Sequence, residues 1–79
     1  MNQHGPRIIK VQQPLSTNDE ERPWMIYDAK RLLTVVLPES AIPDHVKKAL
    51  GTDPKGYFEG TWSSTVGWVI GRRVKEQAW

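Results

Sequence analysis

Proline and glycine fix the segment lengths of this chain before any other feature acts. Pro23, Pro38, Pro43 and Pro54, with Gly51 between the last two, divide the central part of the sequence into short stretches. Proline lacks the amide N–H that a helix interior or a paired strand requires, so each apolar run must be a short strand or a short helix. Trp24-Met25-Ile26-Tyr27 and Leu32-Leu33-Thr34-Val35-Val36-Leu37 are β-branched and aromatic runs around a polar Asp28-Ala29-Lys30-Arg31 turn. That pattern predicts a β-hairpin.

Pro43 suits the first position of a helix, Asp44 the dipole-favoured first turn, and Gly51 the stop. Ile42, Val46, Ala49 and Leu50 form one apolar stripe on it, and an isolated helix this short is unstable in water. It must therefore lie on a sheet. After the Thr52-Asp53-Pro54 exit loop, residues 55–62 and 68–74 flank a Ser63–Gly67 turn and predict a second hairpin, with Gly60 and Gly71 marking bulges or close crossings. The reading is α+β, a ββαββ antiparallel sheet with one short helix packed on it. Its expected core is Trp24, Ile26, Leu33, Val35, Val46, Leu50, Phe58, Trp62, Trp68 and Ile70.

Residues 1–22 are rich in Gln, Asn, Pro and charge, and read as a polar, flexible N-terminal arm ahead of a single domain over 23–79. Within the arm, residues 7–13 are β-prone between Pro6 and Pro14, which makes them a candidate edge strand for docking or for pairing with another subunit.

With 79 residues the chain falls in the size range that usually needs a disulfide, a metal or self-association. It has no cysteine, and its two histidines, His4 and His45, lie far apart without metal-ligand spacing, so no metal site is expected. Four tryptophans supply aromatic packing instead. The apolar run at 32–37 is far shorter than the roughly 20 residues that span a bilayer, and Met1–Arg7 lacks a signal-peptide core, so the expectation is a cytoplasmic protein without a membrane partner.

No catalytic set emerges. The four serines stand in turn-like surroundings outside any nucleophile elbow. Asp44 and His45 are adjacent on a helix, so their side chains diverge by about 100 degrees and cannot orient each other. Glu59 is expected to pair across the hairpin with Arg72 or Arg73. Gly51–Gly56 follows a helix instead of preceding one, the wrong polarity for a phosphate-binding loop. No enzyme activity and no cofactor is expected.

Binding surfaces are the remaining candidates. Eleven Lys+Arg against nine Asp+Glu give +2, and the excess lies in residues 41–79. Lys47, Lys48, Lys55, Arg72, Arg73 and Lys75 interleave with Tyr57, Phe58, Trp62 and Trp68, a combination that single-stranded nucleic acid binding uses. In so small a domain those aromatics are also needed as core. Trp79 at the end of the chain, with the strand at 7–13, points to a protein partner or a homodimer. The candidate surface is therefore Lys55, Tyr57, Arg72, Arg73, Lys75 and Trp79.

Tyr27-Asp28, Leu33-x-Val35, Ile42-Pro43-x-x-Val46, Leu50 and Lys55-Gly56-Tyr57-Phe58 together resemble the small bacterial KTSC domain over about residues 26–62. This chain lacks that family's glycine- and aromatic-rich strand before the helix, and its cysteine. The resemblance implies an association with nucleic-acid-related proteins and carries over only Lys55. The expected function is a small non-catalytic protein-interaction or assembly domain. The alternatives are a nucleic-acid-binding accessory domain using the basic, aromatic hairpin, and a phage- or plasmid-like inhibitor of a host protein.

Overall fold

The structure, a computed structural model, describes residues 7–14 and 23–78. The rest of the expected arm, and Trp79, lie outside the described residues. Five strands, β1 (Arg7–Gln12), β2 (Trp24–Asp28), β3 (Leu33–Leu37), β4 (Lys55–Ser63) and β5 (Gly67–Val74), form one antiparallel sheet in the order β3-β2-β1-β4-β5. A 3-10 turn (Glu39–Ala41) and the helix α1 (Asp44–Leu50) connect β3 at one edge to β4 beyond the centre. The α+β class, the two hairpins and the helix on the sheet agree with the sequence reading. Among the described residues no helix is long and apolar enough to cross a membrane.

The position of β1 corrects the expectation of an arm with an edge strand. β1 is the middle strand, paired with β2 on one side and along its whole length with β4 on the other. The physical reason is burial: Ile9 and Val11 point to the helix side at 0% exposure, and Ile8, Lys10 and Gln12 alternate to the other face. The domain therefore includes residues 7–14 and does not begin at 23.

Ile9, Val11, Trp24, Ile26, Phe58 and Ile70 of the sheet close on Ile42, Val46 and Leu50 of the helical segment. Phe58 stands between Gly56 and Gly60. A Cβ on Gly60 would meet Ile9 Cδ1 at 2.7 Å, and one on Gly56 would meet Leu50 Cδ2 at 2.7 Å. Glycine is thus what lets the central strand and the helix reach β4. α1 starts after Pro43 and ends at Gly51, whose φ of 57 takes the chain out of the helix. His45 Nε2 lies 3.0 Å from the carbonyls of both Ile70 and Gly71, tying the exposed side of α1 to β5.

Four expected core residues are placed differently. Leu33 is 42% exposed and Val35 is half-buried, because they stand on the edge strand, where the helix does not cover them. Trp62 and Trp68 are half-buried toward the β4–β5 tip, ring against ring edge-on at 5.6 Å, with Trp68 leaning on the core.

The central position of β1 has a direct test. Ile9→Ala is expected to cost about 2–4 kcal/mol in urea unfolding, and a chain lacking residues 1–13 is expected to show no cooperative transition by circular dichroism. A dispensable arm would leave both measurements unchanged.

Candidate functional site

A bulge in the β4–β5 pair decides where the candidate arginines go. Phe58 pairs with Arg73 but Gly60 pairs with Ile70, so β5 uses one more residue than β4 around Glu59. The shift turns Arg73 to the helix face with Ile70 and leaves Arg72 on the opposite face. Arg72 Nη2 then donates to Glu59 Oε2 at 3.3 Å, the cross-strand pair that the sequence suggests, with the Arg72 side chain 78% exposed.

Arg73 has a different role. Its guanidinium donates to the Ala49 carbonyl at 2.8 Å and to Asp53 Oδ2 at 3.0 Å, closing the C-terminal end of α1 against β5. The last carbonyls of a helix have no partner within it, so a cation here satisfies one of them and favours the negative end of the helix. The two neighbouring arginines therefore do not form one cationic surface.

The other candidates also separate. Tyr57 faces away from the helix, between Lys10 of β1 and Val74 of β5, and is 3% exposed. Lys55 is exposed at the start of β4 and Lys75 just after β5. Lys55, Tyr57 and Arg73 border a hollow of about 270 Å³ at one end of the sheet, with Asp53, Pro54 and Glu76. Its cations are accompanied by the two carboxylates, which leaves no strong field. Among the described residues no group of three or more His, Asp or Glu side chains gathers as metal ligands.

On the helix-free face, the register aligns Thr34, Tyr27, Lys10, Tyr57 and Val74 across all five strands. Lys10 Nζ lies 5.4 Å from the Tyr27 ring centre, a cation–π contact. Lys10, Gln12, Met25, Tyr27 and Thr34 line a shallow hollow of about 230 Å³.

Two features were missed in the sequence. Asp28, which the sequence places in a polar turn, is 1% exposed; its Oδ2 accepts from Arg7 Nη1 at 3.2 Å and faces Arg31 Nε at 3.9 Å, while its Oδ1 accepts from the Lys30 amide. This fastens the start of β1 to the β2–β3 turn. The second is the β3 edge. Leu33–Leu37 carries no charge, Leu33 is 42% and Val36 59% exposed, and Leu32 before it is 78% exposed at φ 52. A left-handed leucine costs roughly 1–2 kcal/mol, and held in the open it gains no burial in return. The uncharged run was visible in the sequence, but its edge position depends on where β1 inserts.

Compared with protein-family models, curated proteins and solved structures, the chain gave no significant match.

The arginine pair separates by measurement. Arg73→Ala is expected to lower stability by about 1–2 kcal/mol through the lost carbonyl and carboxylate bonds, whereas Arg72→Ala stays within about 0.5 kcal/mol. Urea titration of both variants checks this, and equal effects would contradict the assigned roles.

Proposed function

We propose that this domain is a non-catalytic interaction module that takes up a partner by strand addition along β3. The observation that carries the reading is the uncharged edge itself: five regularly paired residues with apolar side chains exposed, on the side of the sheet opposite the bulged and charged β5. An exposed, flat, apolar edge is a template for another strand, and proteins that do not use one block it with charge, proline or a bulge.

The neighbouring chemistry supports a binding role over a catalytic one. His45 is held against two β5 carbonyls, and Glu59 is paired with Arg72, so both side chains are engaged in contacts within the fold. The reading extends to a cytoplasmic setting, in keeping with a chain that builds its core without cysteine.

Nucleic acid binding is the weaker reading. Phe58 and Tyr57 are buried, and the Trp62 and Trp68 rings meet each other, so few of the expected stacking surfaces are open to bases. Arg72 and Arg73 already have carboxylate partners.

A photo-crosslinking residue at position 36, on β3, compared with one at position 69, on β5, tests the proposal in cells. Adducts are expected from position 36, and adding Thr34→Lys should remove them by placing a charge on the edge. No adduct at 36, or the same adducts from both positions, would sink the reading.

A further inference from the structure

We infer that the strand taken up by β3 is β3 of a second copy of this chain, joined antiparallel about a two-fold axis through Val35 into one ten-stranded sheet. This rests on the strand-addition reading and adds the occupant and the register.

The two sheet edges are built differently. β5 has the bulge opposite Glu59, two consecutive arginines, and two carbonyls met by His45. Each of these discourages pairing with another strand. β3 has none of them, and its register runs unbroken from Leu33 opposite Asp28 to Leu37 opposite Trp24.

The edge is also complementary to itself. Two copies of one strand related by a two-fold axis perpendicular to the sheet must pair residues of the same face, so allowed registers differ by steps of two. Only the register centred on Val35 engages all five residues. Leu33 then meets the partner's Leu37, Thr34 meets the partner's Val36, and Val35 meets its own counterpart. The helix-side row gains leucine and valine neighbours that its own copy does not provide, and no charge faces a like charge.

At the flanks, Arg31 in the β2–β3 turn faces Asp28 and Glu39 in the 3-10 turn faces Lys47, so the charges nearest the seam are already paired within each copy. Leu32, 78% exposed and held at positive φ, stands at the end of the seam beside Leu33. A residue kept in a costly conformation at an exposed tip is what a contact surface would retain.

The absence of cysteine makes the test clean. Directly opposed residues of an antiparallel pair lie about 4.5–5.5 Å apart at Cα, within the range a disulfide spans. Under mild copper-phenanthroline oxidation, Val35→Cys is expected to give a covalent dimer of two 9.1 kDa chains, about a hundredfold faster than Val69→Cys, because association raises the effective concentration. Light scattering should give the mass of two chains for the native protein and of one chain for Val36→Lys. The unfolding of Val36→Lys should be that of a folded single chain, since Val36 is exposed in one copy. A native mass of one chain throughout, or a dimer in which Val35→Cys crosslinks no faster than Val69→Cys, overturns the inference. If the native mass is that of one chain while the position-36 crosslinker attaches to a different protein, the homodimer fails and strand addition stands.

Discussion

The fit of Ile9 beside Phe58, over the space left by Gly60, is the contact on which the rest of this structure depends. Ile9 pairs directly with Phe58, and both side chains are fully buried. The same strand clears space twice, at Gly60 for the side chain of β1 and at Gly56 for Leu50 of the helix. β4 is therefore the floor on which both the central strand and α1 are laid. With β1 seated in the middle, β2 and β3 are carried outward on one side and β5 on the other, and the identities of the two edges follow.

Local pattern made the hairpins and the helix legible, because turn residues, prolines and β-branched runs act within a few positions of each other. The place of β1 was not legible, since it depends on pairing residues about fifty positions apart in sequence, and its polar surroundings resemble a solvated arm. Leu33 and Val35, expected in the core, do lie on the helix side, but strand alternation says which way a side chain points and not whether anything covers it. Gly71 hinted at the bulge. What could not be read was its consequence, that Arg73 rather than Arg72 would turn toward the helix. The burial of Asp28 was missed for a related reason: it comes from Arg7, which reaches it only once β1 is central.

Net charge is a poor guide to what this surface recognises. Arg7 and Arg31 face Asp28, Lys47 faces Glu39, Arg72 faces Glu59, Arg73 faces Asp53, and Lys10 lies over Tyr27. The exposed pairs contribute little stability, yet each holds a cation beside a carboxylate and flattens the field that a polyanion would feel. Lys30, Lys48, Lys55 and Lys75 stand outside these pairs, in the β2–β3 turn, on α1, at the start of β4 and just after β5. Among the five described strands, β3 alone carries no charged side chain.

That stretch is not an unavoidable by-product of the fold. α1 is only seven residues long and leans toward β4 and β5 through Leu50, His45 and Arg73, so it does not reach the far edge, where Leu33 and Val36 stay exposed. An uncovered edge in a small domain is normally blunted by a lysine, a proline or a bulge. Nothing in the single chain forbids one: Val36 is 59% exposed and a charged side chain there would sit in water. β5 shows that this sequence can protect an edge, with a bulge, two arginines and a helix side chain concentrated on one strand. Protection on β5 together with none on β3 leaves the sheet open in a single direction, and a uniform pressure toward solubility would not produce that asymmetry. It follows directly if one edge has to remain available for another strand.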